Sequence, residues 1–169
     1  MTDQLPVVLP QTLHSLKVAQ IGLLVPDLRE ALEQYSLLLG RNDWSIFTYA
    51  PENVEGVSYR GEPSSHSMRL AFVGEGPQIE LVESLEGPNI YTEWIARHGY
   101  GVHHFGFHVD SIAEATAAMQ ADGFESIQTG RATGLDGDGG FAYFDTESIL
   151  GVITELIEIP SRRRPSEEL

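Results

Sequence analysis

Two histidines that share one face of a predicted strand are the first residues in this sequence that suggest chemistry. Residues 101–109 alternate strictly between two faces, as a strand does when its faces meet different surroundings. One face carries His104 and His108 with Gly106 between them, which leaves space beside two imidazoles. The other face includes His103 and is rich in apolar residues, so we expect it to pack against helices and His103 to be structural.

Two glutamates stand out because each lies inside an apolar strand. Glu80 occupies the run Ile-Glu-Leu-Val, and Glu155 occupies the run Ile-Thr-Glu-Leu-Ile. An ionised carboxylate in such surroundings costs free energy unless it is paired, hydrogen-bonded or bound to a metal. Together with Gln20 and His104 these glutamates offer three oxygen donors and one imidazole, a set that suits a divalent cation.

The four candidate residues lie at equivalent places of an internal repeat. The first strand of each half has the same pattern at an offset of 84 residues, and the last strand repeats a Glu-Leu-Val/Ile-Glu run at an offset of 75. In each half a strand is followed by a helix, which opens on a capping pair (Asp27–Glu30 or Ser111–Glu114), and by three further strands. The repeat predicts an α+β fold of two tandem βαβββ modules. The matched residues are Val18, Gln20, Gly22 and Val25 in the first half and Val102, His104, Gly106 and Val109 in the second.

The repeat also divides the chain into segments. Within the first half, the stretch with Pro51, Gly56 and Pro63 is predicted as a loop. The Gly- and Asp-rich stretch at 134–140 lacks the acidic spacing of a calcium loop and the lysine of a phosphate loop, so we expect a hairpin connection. The predicted segments are an N-terminal extension (1–15), a first βαβββ module (16–87), a connecting helix (88–100), a second βαβββ module (101–160) and a flexible tail (161–169).

Composition excludes several classes of function. The chain has no cysteine, which rules out disulfides, thiolate metal sites and a cysteine nucleophile. Its net charge is −15 and Lys17 is its single lysine, so we expect no binding to nucleic acid; the basic run at 162–164 is interpreted as a solvated terminus. No apolar run reaches the ~18 residues of a membrane span, and the sequence shows no export signal. We therefore expect a cytoplasmic protein without membrane contact.

These runs resemble those of the vicinal oxygen chelate superfamily, whose members include glyoxalase I, methylmalonyl-CoA epimerases, extradiol dioxygenases and bleomycin-binding proteins. The similarity spans residues 17–159 and is greatest to the methylmalonyl-CoA epimerase-like branch, through the runs at 79–83 and 101–107 with further matches between 145 and 156. The resemblance implies a curved mixed sheet around a central metal cleft. By position it implies a divalent metal ion (Zn, Co, Ni or Mn) bound by Gln20, Glu80, His104 and Glu155.

The resemblance also implies a reaction, namely proton transfer next to a carbonyl through a metal-stabilised enediolate, as in an isomerase or epimerase. Glu155 corresponds to the base of both glyoxalase I and the epimerases, and Glu80 is expected to act on the opposite face of the substrate. The epimerases also have an acid/base glutamate before the third strand. Here the matching residues are Ser-Ser-His-Ser, and His66 is the predicted substitute. Substrate contacts are predicted at His108, Tyr59 and Tyr143.

One departure from the epimerase pattern leaves alternatives open. Epimerases usually have histidine at the position of Gln20, whereas glutamine there resembles eukaryotic-type glyoxalase I, a lactoylglutathione lyase. The same glutamine counts against an extradiol dioxygenase, which needs histidine at both first-strand positions. A non-catalytic small-molecule-binding protein of the same fold is a further alternative. The predicted partner is a small molecule, a carbonyl substrate for either enzyme, and the chain is expected to form a homodimer.

Overall fold

Ten strands and four α-helices make up residues 9–167, the part of the chain that the computed structural model describes. The first eight residues of the predicted N-terminal extension and the last two of the predicted tail lie outside these described residues. The strands are β1 (Val18–Leu24), β2 (Ser45–Tyr49), β3 (Glu55–Tyr59), β4 (Glu62–Pro63), β5 (Ser67–Val73), β6 (Gln78–Glu86), β7 (Gly101–His108), β8 (Ser126–Thr133), β9 (Gly139–Phe144) and β10 (Ile153–Glu158). The helices are α1 (Leu28–Leu39), α2 (Ile90–His98), α3 (Ile112–Ala121) and α4 (Glu147–Leu150), and a 3₁₀ turn covers Gln11–Leu13. None of the described helices has the length and apolar character needed to span a membrane.

All ten strands form one mixed sheet, in the order β2-β5-β6-β1-β7-β10-β9-β8-β3-β4. The first half contributes β2-β5-β6-β1, the second contributes β7-β10-β9-β8, and the halves meet where β1 runs antiparallel to β7. Within each half the first and last strands are parallel neighbours, β1 with β6 and β7 with β10. The predicted α+β class with a curved mixed sheet is therefore confirmed.

A short hairpin, β3–β4, joins the two ends of this sheet. It lies in the stretch predicted as a loop and follows β2, yet β3 pairs with β8 of the other half. Residues 50–54 are the whole connection from β2 to β3, and a chain of that length spans at most about 20 Å. The two ends of the sheet must therefore approach each other, and Tyr49 of β2 does stack on Phe141 of β9 with ring centroids 6.1 Å apart. The sheet consequently curls into a cup.

Two helices cover the convex side of the cup, and both begin at the predicted caps. The side chain of Asp27 accepts a hydrogen bond from the backbone N–H of Glu30 at the start of α1, and Ser111 does the same for Glu114 in α3. The glycine that follows the apolar helical spacing predicts a helix end, and α1 does end at Gly40 in the left-handed conformation. These helices bury the outward-facing apolar residues of the sheet, and so leave the inward-facing residues of the central strands for the site.

The concave side holds an aromatic core against α2, which lies within the segment 88–100 predicted as the connecting helix. α2 begins at Asn89 in a capping box, and the backbone N–H of its first residue, Ile90, donates to the side chain of Gln128. Since α2 packs inside one end of the cup, it closes that end, and the polar residues of β1, β6, β7 and β10 face the interior beside it. The aromatic residues of this core are Phe47, Phe72, Tyr91, Trp94, Phe141 and Tyr143.

One prediction about β7 is wrong, because the strand contains a β-bulge. Gly22 pairs with His104 and Leu23 with Val102, so His103 is an extra residue without an opposite partner. The bulge turns His103 into the concave core, where its ring lies 5.1 Å from that of Trp94. His103 therefore packs against α2 inside the cup and not against the helices of the convex side, which Phe107 farther along the strand does face.

Two stretches of the second half also differ from the sequence prediction. The glycine-rich composition of residues 129–140 predicts a loop, but β8 continues to Thr133 because it pairs with β9 on one side and with the hairpin on the other. Residues 147–151 are predicted as a turn, but they form the single-turn helix α4, which ends at Gly151 in the left-handed conformation. Both differences lie away from the four central strands, whose positions agree with the repeat.

Candidate metal centre

The first half of the candidate site is a row of three residues across the concave face of the sheet. Glu80 on β6, Gly22 on β1 and His104 on β7 are direct neighbours in the strand pairing. Neighbouring strands are about 4.8 Å apart, so Glu80 and His104 start roughly 10 Å from each other. Their side chains nevertheless meet above the glycine, with His104 Nε2 2.7 Å from Glu80 Oε2. A Cβ atom on Gly22 would lie 1.9 Å from the imidazole, so this contact requires glycine.

The second half of the site is the same row with the two modules exchanged. Glu155 on β10 pairs with Gly106 on β7, which pairs with Gln20 on β1. A Cβ atom on Gly106 would lie 3.0 Å from both the Cβ and the Oε1 atoms of Gln20. In each first strand a polar residue and a glycine are separated by one residue, and this repeated pattern gives two equivalent rows. Each row combines the carboxylate of one half with the first-strand polar residue of the other half.

Three charged side chains meet where the rows adjoin, and all are almost completely buried. Glu80, His104 and Glu155 expose 2%, 0% and 5% of their surface, and each offers a ligand atom within 4.8 Å of the other two. His104 Nε2 donates to Glu80 and lies 3.2 Å from Glu155 Oε2, which has no hydrogen bond of its own. A buried carboxylate oxygen without a donor is costly, and a cation would offset that cost.

The ionisation of this cluster follows from burial and from its two carboxylates. Burial raises the pKa of Glu80, although the neighbouring His104 opposes the shift. For His104, burial lowers the pKa, but the combined effect of Glu155 and Glu80 is greater and raises the pKa to about 10. Without a metal, the imidazolium proton is therefore the positive charge between the carboxylates.

The residues present fit a divalent metal ion. Two carboxylates, one imidazole and the amide of buried Gln20 form a mixed nitrogen and oxygen donor set, which zinc, cobalt, nickel and manganese accept. A divalent ion would replace the single positive charge of the imidazolium and supply a partner for the oxygen of Glu155 that has none. The cluster of Glu80, His104 and Glu155 is thus capable of binding a metal.

A second histidine determines which nitrogen of His104 faces the carboxylates. The Nδ1 atoms of His103 and His104 are 3.0 Å apart, so one ring must donate to the other. Burial, followed by the neighbouring His104, holds the pKa of His103 well below its usual range, so His103 is neutral and accepts. His104 then donates through Nδ1, which leaves Nε2 as its ligand atom once the other proton is lost.

Two of the predicted substrate-binding residues lie at or beside the cluster. Tyr143 pairs with Glu155 in the sheet, and its ring is 5.3 Å from that of His104. Its hydroxyl accepts a hydrogen bond of 2.9 Å from Tyr91. His108 is exposed at the open end of the cup, four residues along β7 from His104.

The structure does not bring the other two predicted residues to the cluster. The hydroxyl of Tyr59 donates to Glu93 on α2 and so ties the hairpin to that helix. The Nδ1 atom of His66 lies 3.0 Å from the hydroxyl of Ser64. Since His66 is six residues from Phe72, the partner of Glu80 on β5, it lies about 20 Å along the strand from the carboxylates.

Sequence reasoning missed Gln78, which belongs to this site. Gln20 Nε2 donates to Gln78 Oε1 at 3.4 Å, and Gln78 in turn donates to the backbone oxygen of Gly74. The amide of Gln20 is therefore oriented by a partner on the neighbouring strand. Gln78 is two residues before Glu80 and therefore lies on the same face of β6. The alternation of side chains along a strand would have identified it.

A sequence model of the Glyoxalase/Bleomycin resistance protein/Dioxygenase superfamily matches residues 19–144. This range contains the first strands of both halves and their helices. No curated protein sequence matches the chain.

Solved structures with the same fold include methylmalonyl-CoA epimerases. One is the Streptomyces coelicolor epimerase in complex with 2-nitronate-propionyl-CoA, 21% identical, with 89% of this chain and 100% of that chain covered and a TM-score of 0.62. The epimerase from Mycobacterium tuberculosis is 18% identical, with coverage of 86% and 87% and a TM-score of 0.55. A hypothetical protein from Bacillus halodurans is 24% identical, with coverage of 89% and 99% and a TM-score of 0.58. At these identities the similarity establishes the fold.

Replacing Gly22 by alanine tests the close approach of the two halves. The added methyl group would overlap the imidazole of His104, so we expect the variant to lose about 1–3 kcal/mol of unfolding free energy in urea. Val18→Ala, at an exposed residue of the same strand, is the control and should lose less than about 1 kcal/mol. Equal stability of the Gly22 variant and the wild type would contradict the geometry.

The raised pKa of His104 predicts how stability depends on pH when a chelator keeps the protein metal-free. The ordinary pKa of histidine is about 6.5 and that of buried His104 is about 10, so the folded protein holds a proton that the unfolded chain lacks between these values. This contribution to stability is complete below pH ~6.5 and is lost as the pH rises towards 10.

Urea denaturation at pH 7 and at pH 9.5, each with a chelator present, measures this effect. The wild type should be less stable at the higher pH, and His104→Gln should lose most of that difference. If His104→Gln shows the same pH dependence of stability as the wild type, groups other than His104 cause that dependence.

Proposed function

The chain belongs to the Glyoxalase/Bleomycin resistance protein/Dioxygenase superfamily, and we propose that it is a divalent-metal-dependent enzyme that transfers a proton at the carbon next to a carbonyl group. The observation that supports this proposal is the pair of buried carboxylates on either side of one imidazole, with their ligand atoms within 4.8 Å of one another. We assign the metal to Gln20, Glu80, His104 and Glu155. When bound, the ion would polarise the carbonyl oxygen and make the neighbouring C–H bond more acidic.

Glu155 is the proposed base. Its Oε2 atom is buried and accepts no hydrogen bond from residues 9–167. A carboxylate has two oxygen atoms, so one can bind the ion while the other accepts a proton from the substrate. Glu155 lies on β10 beside Tyr143, whose ring fixes one wall of the space around the carboxylate. A carboxylate held in this way needs little rearrangement to reach a bound C–H group.

Glu80 is the proposed acid that returns the proton. In the metal-free cluster burial raises the pKa of Glu80, although the neighbouring His104 opposes the shift. Glu80 comes from the opposite half of the molecule and contacts the other side of the same imidazole nitrogen. Two carboxylates on different sides of a substrate can remove a proton from one face and return it to the other, which is the requirement for epimerisation.

We propose an α-substituted acyl thioester as the first substrate class to test. The support is the fold shared with epimerases, one of which is bound to 2-nitronate-propionyl-CoA. A second candidate is a lyase that acts on the hemithioacetal of methylglyoxal and glutathione. This alternative is favoured by Gln20, because the assigned set of one glutamine, two glutamates and one histidine resembles that of glyoxalase I.

Deuterium exchange tests the reaction directly. Protein reconstituted with zinc, cobalt, nickel or manganese is incubated in D₂O with methylmalonyl-CoA, and loss of the α-proton signal is followed by NMR. We expect exchange that requires metal and that falls about 10²–10⁴-fold in Glu155→Gln, because the base is removed. Turnover of the hemithioacetal in a parallel assay decides between epimerase and lyase.

Glu86→Gln is the matched control, since Glu86 is exposed on the same strand as Glu80. It should keep the wild-type exchange rate. His66→Gln should also keep the wild-type exchange rate, because His66 lies about 20 Å along the strand from the carboxylates. Absence of a stoichiometric metal, together with exchange unaffected by Glu155→Gln, would contradict the proposed function and leave a non-catalytic binding protein.

A further inference from the structure

The C-terminal segment 161–167, here called the strap, is first attached to the second half of the molecule. The backbone N–H of Ser161 donates to Asp138 Oδ2 at 3.1 Å, and Arg162 Nε donates to Asp136 Oδ2 at 2.7 Å. The backbone oxygen of Arg162 accepts a hydrogen bond of 2.9 Å from Leu135. All three partners lie in the turn between β8 and β9, so the strap starts at that turn.

The other end of the strap is attached to the first half. The backbone N–H of Ser166 donates to Ile46 on β2 at 2.7 Å, and the hydroxyl of Ser166 accepts from the N–H of Thr48 at 2.9 Å. Arg69 on β5 donates to Glu167 at 2.7 Å. The middle of the strap therefore passes from one half to the other, and both of its ends are held by several hydrogen bonds.

This path places Arg163 at the open end of the cup without a carboxylate partner. Its guanidinium lies 6.0 Å from the centre of the Phe47 ring. The preceding residue, Arg162, forms an ion pair with Asp136, whereas Arg163 forms none with any residue of the described range 9–167.

Arg163 shares a cavity of about 470 Å³ with two further basic residues, Lys17 and His108. Lys17 is the single lysine of the chain. One carboxylate, that of Glu75, also lines the cavity, so the two cationic side chains, Arg163 and Lys17, outnumber it. This is the reverse of the balance over the whole chain, and a local excess of basic groups attracts anions. His108 adds a ring N–H rather than a charge, because burial lowers its pKa.

The cavity adjoins the candidate metal centre. Gln78 lines the cavity and also accepts the hydrogen bond from Gln20. His108 reaches the cavity from β7, four residues from His104 and on the same concave face. His108 also feels charges from both the cavity and the centre. Burial lowers its pKa, Arg163 of the cavity lowers it further, and Glu155 of the centre opposes the shift. None of the four assigned ligands lines the cavity itself, so a substrate would reach the centre by extending from the cavity past Gln78.

We propose that Arg163, together with Lys17 and His108, binds an anionic group of the substrate while its carbonyl group lies at the metal centre. This inference rests on the proposed function and narrows its substrates to carbonyl compounds with a carboxylate or phosphate group. A guanidinium binds either group through two parallel hydrogen bonds. The positive cavity also offsets the repulsion that an anion would otherwise meet near two buried carboxylates.

Anion titrations of the full-length, metal-free protein test this subsite without any turnover. Acetate and inorganic phosphate are added separately at constant ionic strength, with chloride as the balancing salt, and ¹H–¹⁵N NMR follows the arginine Nε–H and His108 ring signals. We expect saturable shifts at Arg163 and His108 with at least one of the two probes. The probe that binds more tightly identifies whether carboxylate or phosphate is the preferred group.

Arg163→Gln and Arg164→Gln form the matched pair of variants. Arg164 is the next residue of the strap, is exposed and does not line this cavity. Losing one charge-assisted contact should weaken anion binding about tenfold in Arg163→Gln, whereas Arg164→Gln should stay within about twofold of the wild type. Equal affinities in the two variants, or shifts that chloride alone reproduces, would overturn the proposal.

Two further measurements separate this proposal from the proposed function. Stoichiometric zinc binding by Arg163→Gln, measured by calorimetry, confirms that the variant is folded and that its centre is intact. With methylmalonyl-CoA, Arg163→Gln should raise KM about tenfold and change kcat by less than about twofold, because the contact is made before and during the reaction alike. Unchanged KM would overturn the subsite while leaving proton transfer supported.

Discussion

The meeting of two buried carboxylates around one imidazole is the constraint on which the rest of this structure depends. Taking charged groups out of water costs several kcal/mol each, and the cost is recovered only if a positive charge lies close to both carboxylates. Glu80 and His104 begin two strands apart, so their contact requires that nothing larger than hydrogen occupies Gly22 between them. The central strand order, the internal repeat and the two glycines are all consequences of this one requirement.

The frame is nearly symmetric, but the site within it is not. Each half supplies a glutamate from its last strand and a polar residue from its first, yet that residue is Gln20 in one half and His104 in the other. The Nε2–H group of His104 is directed to Glu80, which leaves Glu155 Oε2 without a hydrogen bond from residues 9–167. Two carboxylates of equal chemistry thus have unequal surroundings, which is the condition for one to act as an acid and the other as a base.

Exchange of segments between the halves shapes the cup around this site. The β3–β4 hairpin leaves the first half to pair with β8 of the second, and the strap leaves the second half to pair with β2 of the first. The hairpin crosses from the first half to the second, and the strap crosses from the second half to the first. The two ends of the curled sheet are therefore joined twice. The strap also brings Arg163 to the cavity that Lys17, His108 and Glu75 line.

The sequence by itself determined the parts of this protein that depend on local pattern. Helical caps at Asp27 and Ser111, the first and last strands of each half and the four candidate ligands all follow from periodicity and from the internal repeat, because each depends on residues close in the chain or on a comparison within it. Tertiary structure alone decided the pairing of β3 with β8, the rotation of His103 by a bulge and the path of the strap. These features depend on which distant strand lies alongside, and alternation cannot reveal an unpaired residue or a partner more than sixty residues away.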